Sequence, residues 1–210
     1  MTKRLYLAIA LLLANASALA EVRLPKILGS HMVLQRNSEV KIWGWADVGE
    51  TVQVSGDWLS TQATTTADGR GQWQVTVKTS EAGGPHRLIV SGKNVIKLEQ
   101  VLFGEVWIAS GQSNMEIPLI KVSDAYTGIK DAEEEIAAAN YPQIRLFQAG
   151  NFSSQEPLDD VQAGISMYGM PLAECQWQAC SPETIPTFSS TAYFFARPLH
   201  AQLRVPNRYH

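Results

Sequence analysis

The sequence predicts an antiparallel β-sandwich module over residues 21–103, followed by the first part of an α/β, parallel-sheet domain over residues 104–210. Two observations carry this. From Val22 to about Phe103, apolar and polar residues alternate in short runs cut by turn residues, which is the period of half-buried strands. After Gly104 the period changes: an apolar strand, a helical repeat and a second apolar strand come in turn.

The chain has 210 residues, of which 45% are hydrophobic and 18% charged, a globular balance. Net charge is −3, and no Lys/Arg cluster occurs beyond the first few residues, which excludes nucleic acid as a partner because phosphate binding needs a basic surface. The first twenty residues, MTKRLYLAIALLLANASALA, form a separate unit. Lys3 and Arg4 precede an apolar run from Leu5 to Leu13, and Ala18-Leu19-Ala20 closes it with small residues. That pattern is a signal peptide cleaved near Ala20, with a mature start near Glu21. No later stretch approaches the ~20 apolar residues a membrane span needs, so the expectation is an exported protein, periplasmic or secreted, with no membrane segment in its mature form.

Within the first region, TVQVSG (51–56) and QWQVTV (72–77) alternate, the latter placing Trp73, Val75 and Val77 on one face. HRLIVSG and VIKLEQVLF are joined by Gly92-Lys93-Asn94, a hairpin connection, while Asp68-Gly69 and Gly83-Gly84-Pro85 mark further turns. Six or seven short strands at this spacing argue for a sandwich of about 80 residues. Trp43, Trp45, Trp58 and Trp73 could offer sugar-stacking surfaces, but Trp43 and Trp73 fall on alternating positions expected to be core.

In the second region, Glu105–Ala109 reads as a strand that ends in a Gly-Gln-Ser-Asn bend. AYTGIKDAEEEIAAAN comes next, with Ala125, Ile129, Ala132, Ile136 and Ala139 at helical spacing, Pro142 as its stop, and IRLFQ (144–148) as the next buried strand. Strand, helix, strand implies a parallel pairing with a right-handed crossover. A loop-like stretch from about 149 to 187 carries Cys175 and Cys180, which read as a small disulfide or as free thiols, since no second ligand pair is spaced for zinc. Phe188, Ala192, Phe195, Leu199 and Leu203 then mark a helix face. Pro198 conflicts with it, at ~3 kcal/mol inside a helix, so either the helix starts near Arg197 or the segment is degenerate. Two strands fall short of the roughly five of an ordinary open sheet, so the α/β domain reads as incomplete.

The chemistry centres on GEVWIASGQSNMEIP (104–118). A serine on a bend after a strand exposes its hydroxyl and gathers backbone N–H groups, but it needs a base and oxyanion donors to act as a nucleophile. The stretch closely resembles the nucleophile block of the sialate O-acetylesterases, members of the SGNH (GDSL-like) hydrolase superfamily. GSHMVLQRNSEVKIWGWADVGETVQVS, DGRGQWQV and AGGPHRLIVSG upstream, and FSSTAYFFARPLH downstream, resemble the same family in the same order. The resemblance implies an exported esterase acting on O-acetylated sialic acid or a related acetylated glycan, with no metal or organic cofactor. It implies Ser113 as nucleophile, the Ser113 N–H as one oxyanion donor, and Gln112 and Asn114 as residues that shape the bend or bind substrate. For Gln112 and Asn114, side-chain satisfaction of the bend is an equal alternative.

Three elements of the family pattern have no counterpart in this chain: a Gly-rich block, an Asn-containing block and a late Asp-x-x-His element. None of His31, His86, His200 and His210 has Asp three positions before it. The ending VPNRYH reads as a chain cut short, so the expectation is an esterase inactive in this form. Two other functions compete with it: a non-catalytic carbohydrate-binding β module, and a relic with no function.

Overall fold

The computed structural model describes residues 21–124, 126–166, 175–205 and 207–209, so the expected signal peptide over residues 1–20 lies outside the described residues. The strands are β1 (Val33–Gln35), β2 (Glu39–Trp45), β3 (Thr51–Gly56), β4 (Ala63–Thr66), β5 (Gln72–Lys78), β6 (Gly83–Ser91), β7 (Val95–Trp107), β8 (Tyr141–Leu146), β9 (Gln178–Cys180) and β10 (Asn207–Tyr209). Among the described residues two helices complete them, α1 (Ala132–Ala137) and α2 (Ser190–Leu203), with a 3-10 turn at Ser113–Met115.

Among the described residues, eight strands join one mixed sheet in the order β4-β3-β6-β7-β10-β8-β9, with β1 also on β7, while β2 and β5 pair separately. The 13 residues of β7 organise the molecule. Its first part takes β6 antiparallel (Ser91↔Val95) and β1 parallel (Val33↔Leu102), and its last part takes β10 parallel (Asn207↔Glu105). Beyond β10 lies β8, again parallel (Asn207↔Ile144). The expected change from antiparallel to parallel pairing is found only in part, since β1 pairs parallel with β7 and β9 antiparallel with β8; the strands form a continuous mixed sheet with few helices, in which β7 runs through residues 103 and 104 without a break.

Period-two patterning holds in the first region. β5 buries Trp73, Val75 and Val77 and exposes the residues between them, and β3 buries Val52 and Val54. On β2 the alternation is the opposite of that expected for Trp43: Ile42 is fully buried, whereas Trp43 and Trp45 lie half-buried on the other side, edge to face at 5.3 Å. Gly44 can only be glycine, because a Cβ there would lie 2.1 Å from the Arg23 carbonyl oxygen, where residue 23 bridges to Trp45. The predicted hairpin at Gly92-Lys93-Asn94 forms, and the Asn94 amide pins the chain start by accepting from the Val22 N–H (2.8 Å) and donating to its carbonyl (3.0 Å).

The core of this region is completed from afar. Phe147, Cys175 and Trp177 pack with Met32, Ile42 and Phe103, and the Trp177 indole N–H donates to the Ile27 carbonyl at 2.8 Å. A second core, around Leu119, Ile144, Ile185 and Tyr193, holds β8 against α2.

The second region corrects the expectations for both of its helices and decides between the two readings of its cysteines. The helix predicted over 125–139 spans only Ala132–Ala137, because Gly128 (φ +88°) and Asp131 (φ 55°) take left-handed conformations that a right-handed helix cannot contain. Ala125 lies outside the described residues, and Pro142 stands inside β8 rather than ending a helix. Helix α2 runs straight through Pro198, since that residue is exposed and the carbonyl left without its N–H partner is on a face open to water. Its buried face is Ala192, Tyr193 and Ala196, while Phe195 (49%) and Leu203 (39%) are exposed. Finally, both cysteines are free buried thiols in different cores, with Cys175 donating to the Gln162 carbonyl at 3.1 Å.

Candidate active site

β7 ends at Trp107, two residues sooner than predicted, and Ile108 beyond it is 79% exposed rather than buried. The bend then tightens into the 3-10 turn. Gln112 precedes it in extended conformation, Met115 N–H donates to the Gln112 carbonyl (2.8 Å) and Glu116 N–H to the Ser113 carbonyl (3.1 Å). The turn is fixed from outside by the start of α2: Thr191 Oγ1 donates to the Asn114 carbonyl (2.8 Å), and Ser190 N–H donates to the Ile117 carbonyl (2.7 Å). Ser189 caps that helix, its hydroxyl accepting from Ala192 N–H at 3.2 Å. Ser113 itself is exposed.

Upstream, Glu105 holds the strand in place. It accepts from Gln35 Nε2 (3.0 Å) and Arg36 Nε (2.7 Å), and these two bonds keep its carboxyl below the usual carboxylate range. Its role is therefore to tie β7 to β1 and the residue after it.

Ser113 opens into a cleft of about 590 Å³. One wall is the bend, Ile108 to Ser113 with Met115 and Glu116, and the other is the end of β8, Phe147 to Ala149, with Asn151. Phe188 and Ser189 close it at the start of α2. The cleft therefore sits at the carboxyl ends of the parallel strands β7 and β8, where ligands bind in open α/β sheets. Of the predicted residues, Ser113 and Gln112 line the cleft. The Gln112 side chain does not cap the turn, so bend satisfaction does not occupy it. Asn114 is not among the lining residues, and its carbonyl faces α2.

Gln148 and Asn151 were missed by the sequence reading. Both line the cleft and carry side-chain amides, which can donate and accept. The available signal was partial: LFQAGN places two amides directly after a predicted strand, but the order β7-β10-β8 that brings that strand's end to the cleft is not local.

No histidine lines this cleft among the described residues. His31 is in a turn, its Nδ1 3.3 Å from Arg145 Nη1, and burial, with the Arg145 charge second, depresses its pKa. His86 stacks on Phe103 at 4.2 Å and meets Asp57 at 3.1 Å. His200 Nδ1 lies 3.0 Å from the Val205 carbonyl, and His210 is outside the described residues. Among the described residues no cluster of three His, Cys, Asp or Glu side chains could hold a metal ion.

No family model matches the chain, but known proteins are similar to it in sequence and in structure. The mouse (Mus musculus) sialate O-acetylesterase is 26% identical over 208 residues, covering 93% of this chain and 37% of the relative. The human (Homo sapiens) sialate O-acetylesterase is 24% identical over 211 residues, covering 93% and 38%. In three dimensions the chain is similar to a carbohydrate acetylesterase from Xanthomonas citri, with a TM-score of 0.74 and 35% identity, over 90% of this chain and 39% of that one. The chain thus spans under two fifths of the length of each of these relatives.

Proposed function

From the premise that this chain is a relative of the sialate O-acetylesterases, we propose that it carries the nucleophile of a carbohydrate O-acetyl esterase, with Ser113 attacking the acetyl carbonyl. The observation that supports this most is the position of Ser113, exposed on a turn clamped between β7 and α2 and opening into the cleft at the strands' carboxyl ends. In this reading Oγ bonds to the carbonyl carbon, the sugar oxygen departs with a proton, and water then hydrolyses the acetyl-serine. The Ser113 N–H and the cleft amides of Gln112, Gln148 and Asn151 are the donors offered to the oxyanion and the sugar.

The Oγ proton must pass through a base, and among the described residues the cleft holds no imidazole. We therefore place the base outside the described residues, and without it turnover is expected to be slower by the ~10²–10⁴-fold a general base contributes. The finer parts of the reading rest on different grounds: an O-acetylated sialic acid as substrate and an SGNH-like α/β domain on the resemblance, export after cleavage near Ala20 on the pattern of the first twenty residues, and a β-sandwich on the alternation of residues 21–103.

The test is acetate release from O-acetylated sialosides and acetylated neutral oligosaccharides. It uses protein expressed from its native gene, with whatever sequence lies beyond residue 210, and its Ser113→Ala variant. Loss of at least ~10³-fold on substitution is expected; undiminished release would overturn the assignment. Turnover of p-nitrophenyl acetate by residues 21–210, stopped by Ser113→Ala, would show instead that the base is within these residues.

A further inference from the structure

We propose that a second cleft beside the first is a sugar subsite, binding an uncharged ring of the glycan next to the acetylated ring at Ser113; the adjoining role rests on the esterase reading above. The second cleft, about 520 Å³, shares Ala149 and Val161 with the first as lining residues, so the two adjoin. Both volumes fall within the ~300–1,000 Å³ of ordinary ligand sites. It is assembled from both regions: Trp43 on β2 and the segment around Pro25 and Ile27 on one side, and the loop after β8 on the other.

That loop is built and held. Gly150 N–H donates to the Gln162 carbonyl and Asn151 N–H to the Ile165 carbonyl, each at 3.3 Å. The crossing is so close that a Cβ on Gly150 would lie 2.4 Å from the Gly164 nitrogen. The loop is also tied to the first region. The Asp160 carboxylate accepts from the Lys26 N–H (3.2 Å to each oxygen), and Lys26 Nζ donates to the Val161 carbonyl at 2.7 Å. On this anchored loop Phe152 is 60% and Leu158 49% exposed, beside the half-buried Trp43. Apolar side chains presented at a fixed cleft are suited to contact with a ligand.

The chemistry selects the ligand. The C–H face of a sugar ring packs on aromatic surfaces such as Trp43 and Phe152, while its hydroxyls donate to carboxylates. Glu156, Asp159 and Asp160 line the cleft, against the nearby ammonium of Lys26, which is already engaged by Val161. No lysine or arginine is among the described lining residues, and residues 167–174 (MYGMPLAE) contain none. An anionic ring would meet like charge here, whereas a neutral polyhydroxyl ring would not.

The test titrates an unacetylated neutral tetrasaccharide, β-1,4-linked glucose or xylose, into the Ser113→Ala protein by calorimetry, so that binding is read without turnover. Binding is expected to weaken at least tenfold in Trp43→Ala and in Phe152→Ser, the latter an exposed loop position that leaves the core intact. Sialic acid alone is expected to bind no more weakly in these variants than in their parent. Equal tetrasaccharide binding by parent and both variants, or no binding to the parent, would overturn the subsite. Loss of Ser113-dependent turnover with tetrasaccharide binding intact would instead strike the esterase reading alone.

Discussion

The two regions joined by β7 are stabilised in different ways. In residues 21–103, four of the five strand pairings are antiparallel, two of them between consecutive strands (β3 with β4, β6 with β7), and alternation buries one face of β3 and β5. In residues 104–209, the parallel partners of β7 and β8 come together only through β10, a hundred residues after the strand it first meets, and large apolar side chains such as Ile108 (79%) and Phe195 (49%) remain exposed. The difference teaches that the first region is a self-consistent scaffold and the second a platform that presents the bend. Yet the scaffold is not independent, because Phe147, Cys175 and Trp177 of the second region complete its core.

The comparison can be broken most forcefully at Phe103, fully buried on the shared strand between Trp58 (5.0 Å) and His86 (4.2 Å). Phe103→Ala is expected to cost about 3–5 kcal/mol. Tryptophan fluorescence and far-ultraviolet dichroism should still report one common denaturant transition; two separated transitions would show that β7 does not couple the regions. A finer cut is Trp177→Phe, which keeps the ring but leaves the Ile27 carbonyl without its donor. Its expected cost is about 1–2 kcal/mol, read from the shift in denaturation midpoint, and an unchanged midpoint would show the first region to be self-sufficient.

Thiol chemistry sharpens the same contrast at smaller scale. Burial pushes the Cys180 thiol up to about 12, so a disulfide reagent at pH 8 should label it at least ~100-fold more slowly in the native protein than after unfolding. Rapid native labelling would mean that the second region opens locally. The smallest expected effect is at His31. Because burial and Arg145 lower its pKa from 6.5, the unfolded chain binds more protons in the window just below that value. His31 therefore contributes stability that is present above pH 6.5 and lost as pH falls through the depressed folded pKa. His31→Gln should flatten a denaturation-midpoint profile between pH 7 and 5, and an unflattened profile would assign that slope to other groups.

The range of its interactions decides how legible each region was. The alternation of Trp73, Val75 and Val77 and the turn at Gly92-Lys93-Asn94 are local signals, and both are found in the structure. Trp43 was misplaced because alternation fixes which residues share a face but not which face is inside, and β2 buries Ile42 instead. The helix over 125–139 was overdrawn because apolar spacing does not report the left-handed residues Gly128 and Asp131. Pro198 conflicted with a helix on propensity alone, and exposure resolves the conflict. At the cleft, Ser113 and Gln112 were legible from one contiguous stretch, whereas Gln148 and Asn151 join them through the parallel pairing of distant strands, and Ser189 through the hydrogen bonds that hold the start of α2 to the bend.

The most direct measurement of the central claim is covalent trapping. Protein expressed from the native gene would be treated with a fluorophosphonate and digested, and the modified peptide identified by mass spectrometry. The account predicts a single stoichiometric adduct on Ser113, absent from Ser113→Ala. An adduct on another serine, with Ser113 unmodified while the protein releases acetate, would contradict it.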